Sequence, residues 1–189
     1  MTDERIQAYV REVMRFSRVL NLTAIRDEQA FFERFIVPSR ALTAWLPATG
    51  RMLDVGSGMG VPGVPLLISM PGLHGVLVER RKKRAEFLRH LVRVLALDAE
   101  VYDADIRELP RLHVDICVAR AVTGVAKLLA MCAPHANNEA LAVLPVPRAV
   151  RPAPAAGWEF VSAHQVQAGE TQQVHCYRFH EQENMGGFT

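Results

Sequence analysis

The sequence is poor in cysteine and lysine, and it has no long apolar run. Its three cysteines, at 117, 132 and 176, are odd in number and widely spaced, with no CxxC pair. That argues against a disulfide framework or a zinc site and for a reducing compartment. No stretch approaches the roughly 18 uninterrupted apolar residues of a transmembrane helix. The opening Met1-Thr2-Asp3-Glu4-Arg5 lacks the basic, apolar and small-residue blocks of a secretory signal. A cytoplasmic protein without a membrane partner is expected. Seven histidines show no HExxH or paired ligand spacing, so no metal site is expected. Lysine supplies only three of the 22 basic residues; the other 19 are arginine. Net charge is +2 and the pI about 8.6, short of the value above about 9 that marks many dedicated nucleic-acid domains. Arginine forks nonetheless match phosphates and stack on bases.

What is present suits one globular domain. Half of the 189 residues are apolar and 22% are charged, enough to build a core. Residues 1–46 read as a helical cap. Ile6, Val10, Val13, Met14 and Leu20 recur at helical spacing, Asn21-Leu22-Thr23 marks a break, and a second helix is predicted over about 27–45, kinked or divided by Pro38. From residue 51 the rhythm changes to short β-type runs alternating with helices. Strands are predicted at 52–55, 76–78, 100–102, 114–118 and 140–144, and helices at 64–70, 81–96 and 125–132. Alternation of this kind makes βαβ units and a parallel sheet with helices on both faces. A ligand crevice then lies at the carboxyl ends of the strands. Residues 51–144 form the predicted binding core. Four prolines between 145 and 157 predict a loop, and 158–189 a terminal hairpin and tail.

The informative segment is Asp54-Val-Gly56-Ser-Gly58-Met-Gly60-Val61-Pro62-Gly63. It satisfies the GxGxxG of dinucleotide folds, and also the acidic-x-GxGxG of S-adenosylmethionine (SAM) enzymes. Both use glycines because the chain turns sharply off a strand and a ligand approaches bare backbone. Asp54 at the strand end separates them. A carboxylate there repels a pyrophosphate, whereas it suits an ammonium or a bound water near the methionine part of SAM. Pro62 also removes an amide donor from the helix start, so SAM is favoured over NAD. Glu79 ends the second strand and can accept both ribose hydroxyl protons. Asp105-Ile106-Arg107 follows the third strand, where backbone and an apolar side chain can hold an adenine.

Four elements occur in one order: Asn21-Leu22-Thr23-Ala24-Ile25-Arg26-Asp27, the Asp54–Gly63 turn, Lys83-Arg84-Ala85-Glu86-Phe87-Leu88 and Ala119-Arg120-Ala121. Over about residues 6 to 144 the chain resembles the glucose-inhibited division B family, the 16S ribosomal RNA guanine-N7 methyltransferases. The resemblance implies a Rossmann-like class I SAM-dependent methyltransferase sheet with an N-terminal helical cap. It implies SAM as cofactor, and 16S ribosomal RNA or the small ribosomal subunit as partner. Gly56 and Val61 would line the SAM pocket with Asp54, Gly58 and Gly60 beside them. Glu79 would hold the ribose, Ile106 and Arg107 would flank the adenine, and Arg120 would stand at the cofactor edge facing substrate, orienting rather than exchanging protons. RNA contacts are expected from Arg11, Arg15, Arg18, Arg34, Arg81, Lys82 and Lys83, with Arg40, Arg80 and Arg84 nearby.

The departures from the family pattern fall on the substrate half. Its Arg-His-x-x-Asp-Ser reads Arg34-Phe35-Ile36-Val37-Pro38-Ser39, and its Lys-Gly after the fifth strand reads Leu144-Pro145-Val146-Pro147. A divergent subfamily or an enzyme needing an activating protein partner would fit. The alternatives are a SAM-fold scaffold that binds RNA or protein, and an NAD-dependent oxidoreductase resting on the literal GxGxxG. Guanine N7 carries a free lone pair, and the SAM methyl is already electrophilic. Methyl transfer between them therefore needs orientation rather than a nucleophilic or acid–base constellation.

Overall fold

Apolar side chains recur every three to four residues before residue 50 and in short β-type runs after it, and the architecture follows that change. The computed structural model describes residues 2–120, 123–152, 155, 157–166 and 172–181. Helix α1 (Thr2–Leu20) buries Ile6, Tyr9, Val10 and Val13 and exposes Arg11, Arg15 and Arg18. Asp3 and Glu4 in its first turn and Arg18 in its last complement the helix dipole. Asn21 at φ +49° follows the helix, a conformation its short polar side chain tolerates.

The second helical stretch is divided, as Pro38 predicts. Asp27 caps α2 (Glu28–Phe31) by accepting the Ala30 amide at 2.7 Å. Phe32–Ile36 then forms a π-turn, in which the Val37 amide reaches back five residues to the Phe32 carbonyl. Helix α3 (Val37–Ala41) and a 3₁₀ turn (Leu42–Trp45) complete the cap. Pro38 supplies the physical cause: it has no N–H for the Arg34 carbonyl, its acceptor in a regular α-helix.

Seven strands follow: β1 (Gly50–Val55), β2 (Leu73–Val78), β3 (Ala99–Tyr102), β4 (Val114–Val118), β5 (Ala136–Pro147), β6 (Trp158–Val166) and β7 (Gln172–Phe179). Their order in the sheet is β3-β2-β1-β4-β5-β7-β6, with β1 to β5 parallel and β7 antiparallel to both its neighbours. The order reverses between β1 and β4, the switch point where such sheets open a ligand crevice.

The period of two divides the core. Met52, Leu77, Ile116 and Val143 point to the face covered by α1, the cap, α4 (Gly63–Ser69) and α5 (Lys82–Val94). Leu53, Val76, Cys117 and Ala142 point to the other face, covered by α6 (Val125–Cys132). Two boundaries need correction. Residues 145–147 are not loop: β5 runs from 136 to 147 and pairs with β7 over Leu141–Pro147. Its pairing with β4 ends at Val143. Beyond that point β5 has an open side, and prolines two residues apart share one side of a strand. The terminal strands β6 and β7 also run longer than their apolar cores suggest. Residues 153, 154 and 156 of the expected proline-rich loop, and 182–189 of the expected tail, lie outside the described residues.

Candidate active site

At the carboxyl end of β1 the chain turns back through Gly56, Ser57 and Gly58. The amides of Gly56 and Ser57 donate to the Val78 carbonyl at 2.8 and 3.1 Å, which ties the turn to the end of β2. Glu79, 6% exposed, reaches under it. One carboxylate oxygen accepts the Gly58 amide at 3.1 Å and the other the Arg81 amide at 2.8 Å. A single carboxylate therefore sets both the glycine turn and the start of α5.

Two glycines are required by space. Gly60 sits at φ +98°, and a Cβ there would lie 2.6 Å from Val64 Cγ2. A Cβ on Gly63 would lie 2.5 Å from Asp54 Oδ2. That second contact shows what Asp54 does. Its side chain is fully buried and does not border the cleft. Oδ2 accepts the Gly63 amide at 3.2 Å, and Oδ1 has no hydrogen-bond partner. Burial pushes its pKa up to about 7, against the opposing pull of the Gly63 amide and of Ser57. Asp54 thus holds the turn from below, directly behind the cleft lining formed by Val55 and Gly56. Gly60 is likewise buried behind the wall.

The cleft itself has a volume of about 540 Å³, within the usual range for small-molecule sites. Gly56, Gly58, Val61, Glu79, Ile106, Arg107 and Arg120 all border it, as the sequence reading placed them. Six basic side chains stand around it: Arg80, Arg81, Arg84, Arg107, Arg120 and Lys127. Glu79 and Asp105 are the acidic ones, so the cleft carries a net charge of +4, against +2 for the whole chain. Arg107 forks onto Asp105 at 2.6 and 2.8 Å and holds that carboxylate below its usual range.

The cap closes the other side. Tyr9, fully buried in α1, donates to the Met59 carbonyl of the turn at 2.9 Å. Arg84 donates to the Asn21 carbonyl at 2.6 Å. Arg120, just past β4, lies with its guanidinium carbon 4.5 Å from the centre of the Phe35 ring and donates to the Arg34 carbonyl at 3.2 Å. Sequence reasoning did not place Tyr9, Phe35, Lys127 or Met131 at the site. Lys127 and Met131 are one turn apart on α6, a spacing that signals a shared face. Phe35 stands where the family pattern has a histidine, and that departure did not signal its contact with Arg120.

The expected RNA contacts fall in two places. Arg81 borders the cleft, while Lys82 and Lys83 are exposed beside it on the first turn of α5. Arg11, Arg15 and Arg18 do not border it. They share the exposed stripe of α1, where Arg15 lies over the Phe16 ring and 3.8 Å from Glu12. Contacts between Glu12 and His90, Phe16 and Phe87, and Asn21 and Arg84 step in opposite directions along α1 and α5. The helices therefore run antiparallel, and the arginine-rich end of α1 meets the basic start of α5. Arg34 is exposed and offers its carbonyl to Arg120. Among the described residues no group of three His, Cys, Asp or Glu converges as metal ligands, and no helix is long and apolar enough to cross a membrane.

A glycine turn at the switch point of a 3-2-1-4-5-7-6 sheet, with an acidic residue ending the second strand, defines the Rossmann-like fold of the class I methyltransferases. MtNAS, solved in complex with MTA and tNA, superposes with a TM-score of 0.63 at 15% identity, over 96% of this chain and 75% of that one. TYW2 from P. horikoshii, solved in complex with MeSAdo, gives 0.60 at 15%, over 78% and 62%. The particular family follows from sequence. The model of the GidB family, rRNA small subunit methyltransferase G, matches residues 2–144, and the chain belongs to that family. The ribosomal RNA small subunit methyltransferase G of Xylella fastidiosa is 46% identical over 90 residues, 48% of this chain and 42% of that one. Its counterpart in Roseiflexus sp. is 38% identical over 138 residues, 69% and 59%. The chain spans about half the length of the curated relatives it matches.

Proposed function

We propose that the protein transfers a methyl group from SAM to N7 of a guanine in 16S ribosomal RNA of the small subunit, in the cytoplasm. The observation that carries this reading is that the glycine turn and a net charge of +4 share one cleft. The remaining surface is left net negative, since the whole chain carries only +2. Charge concentrated at a single mouth attracts a polyanion there and steers its approach.

The residues present fit SAM. Bare backbone at Gly56 and Gly58 lets a ligand approach, and Glu79 stands at the ribose position with both oxygens directed by amides. Ile106 supplies an apolar surface for the adenine, with Arg107 beside it. Pro62 caps α4 without an amide, and no side-chain hydrogen bond replaces it, which disfavours a pyrophosphate and with it the dinucleotide reading. When bound, SAM supplies a methyl group on a sulfonium. Everything asked of this chain is orientation: the acceptor base must be unstacked from RNA and held in line. Positioning of this kind can supply ~7–11 kcal/mol of a barrier. Arg120 stands on the acceptor side, and the basic edge formed by α1 and α5 would take the RNA backbone. An activating protein partner is one reading of the departures on the substrate half and a divergent subfamily the other; added cell extract separates them.

The test is calorimetric titration with SAM, followed by methyl incorporation into small subunits that lack the modification. One-to-one micromolar binding that Gly58→Arg abolishes, together with 7-methylguanosine in the digested RNA, is the expected result. SAM binding without incorporation, even with cell extract added to supply a partner, would return the scaffold reading. NADH binding in place of SAM would return the oxidoreductase.

A further inference from the structure

The geometry points to His135 as a positioning residue for the cofactor: through one ring nitrogen it holds the Ile106 carbonyl, and so sets the part of the cleft wall that faces the adenine. This rests on the reading of Ile106 and Arg107 as the adenine side of a SAM pocket. It concerns a residue that does not border the cleft and to which the cofactor pattern assigns no role.

His135 lies in a 3₁₀ turn (Ala133–His135) between α6 and β5 and is 2% exposed. Its Nε2 stands 3.1 Å from the Ile106 carbonyl oxygen, 29 residues earlier in the chain. A carbonyl only accepts, so Nε2 carries the proton. Burial pulls the pKa of the ring down, so the ring is neutral and Nδ1 is bare. Among the described residues Nδ1 has no hydrogen-bond partner. A buried polar atom without one is a cost that an apolar side chain would avoid. What the ring contributes is the bond to Ile106.

That bond falls on a peptide group held at both ends. Ile106–Glu108 form a 3₁₀ turn directly after Asp105. The peptide linking Ile106 to Arg107 has its carbonyl on His135, while its amide donates to Asp105 Oδ1 at 3.1 Å. The carbonyl and amide of a trans peptide point in opposite directions, so partners at both poles fix its plane. Ile106 and Arg107, on either side of that plane, both border the cleft. A second tie joins the same two segments: Arg111 Nη2 donates to the Ala136 carbonyl at 2.9 Å. The Pro110 carbonyl also draws on the His135 ring. The adenine segment is thus stapled to the junction of α6 and β5 at two adjacent residues. Without the imidazole, the Ile106 carbonyl keeps the Leu109 amide of its own turn, at 3.2 Å, but loses its tie to that junction.

The experiment measures binding of SAM and S-adenosylhomocysteine to the full chain by calorimetry, with His135→Leu, His135→Asn and His135→Gln. The amide nitrogen of glutamine stands about where imidazole Nε2 does, and that of asparagine where Nδ1 does, so glutamine alone reaches Ile106. Both are uncharged and polar, so both carry the cost of burial. The leucine and asparagine variants should bind both ligands about tenfold more weakly, short of the hundredfold that about an ångström of misplacement costs. Glutamine keeps the bond and should restore affinity to within about threefold of wild type, even if it melts as early as asparagine. In methylation assays KM for SAM should rise in step with those losses, while kcat stays within about twofold of wild type. Affinity that follows melting temperature, glutamine no better than asparagine, or SAM weakened without S-adenosylhomocysteine would overturn the assignment. If the wild type binds neither ligand, the cofactor reading fails separately. The seat is then read by amide exchange. Faster exchange at the Leu109 amide in the leucine and asparagine variants but not in the glutamine variant would uphold it, and equal exchange in all three would overturn it.

Discussion

The two walls of the cleft are built by opposite means. The glycine wall is local: within ten residues Asp54 reaches the Gly63 amide, and the turn between them is shaped by glycines with no room for a side chain. Its ties to the end of the adjacent strand, at Val78 and Glu79, arrive in register, and Tyr9 of α1 adds one more at Met59. The arginine wall opposite is assembled from far apart. Arg120 leaves the end of β4 and finds its partners 85 and 86 residues earlier, in the cap. One wall works through backbone, which a short motif specifies. The other works through side chains that meet only when the chain has folded.

Breaking the local wall should have the larger effect. Gly63→Ala places a methyl group 2.5 Å from a buried carboxylate oxygen and 3.1 Å from Asp54 Cβ, so the turn must shift. SAM affinity in a calorimetric titration should fall by about a hundredfold, the scale of an ångström-sized displacement at a binding site. Unchanged affinity would mean that the turn is not the cofactor wall. Phe35→Leu, on the opposite wall, should spare that affinity, which is the sharpest separation between the two.

Next in size is the basic edge outside both walls. Replacing Arg81, Lys82 and Lys83 together with alanine should weaken binding to a ribosomal RNA fragment about tenfold near 0.1 M salt. It should also flatten the logarithmic salt dependence by roughly one for each phosphate contact removed. An unaltered salt slope would move the RNA path elsewhere. These residues open α5 against its dipole with no acidic residue in the first turn, so the variant should unfold no earlier than wild type.

The smallest effect is on stability and comes from Asp54. Its folded pKa of about 7 lies above the ordinary carboxylate value of about 3.9. A group raised in this way favours the folded state fully below about pH 4 and loses that contribution as pH rises through about 7. Asp54→Asn keeps an acceptor for the Gly63 amide and removes the titration. The melting temperature of the variant relative to wild type should therefore rise by a few degrees between pH 5 and pH 8 and then level off. A difference that stays flat over that range would show that the carboxylate titrates outside it.

The sequence was most legible where geometry is periodic or local. The alternation after residue 50 gave five parallel strands, and helical spacing gave α1 and α5. The glycine pattern pointed to Gly56, Gly58 and Val61, and all three border the cleft. It did not foresee that Asp54 accepts the Gly63 amide, because a carboxylate at a strand end has several possible partners and local pattern does not choose among them. The prolines at 145 and 147 suggested loop because proline cannot donate to a ladder, and an open side beyond Val143 removed that objection. Phe35 and Pro38 looked like losses from a substrate motif. In the fold Phe35 lies against the Arg120 guanidinium, and Pro38 leaves the Arg34 carbonyl to it.

Residue order alone thus determined the sheet class, the switch-point crevice and the glycine turn, because each depends on backbone conformation set by near neighbours. The tertiary structure alone decided which charges face the cleft, which carboxylate is buried, and that a carbonyl left open by one proline receives an arginine from the end of β4. Those outcomes depend on distances between segments, which local propensity does not encode.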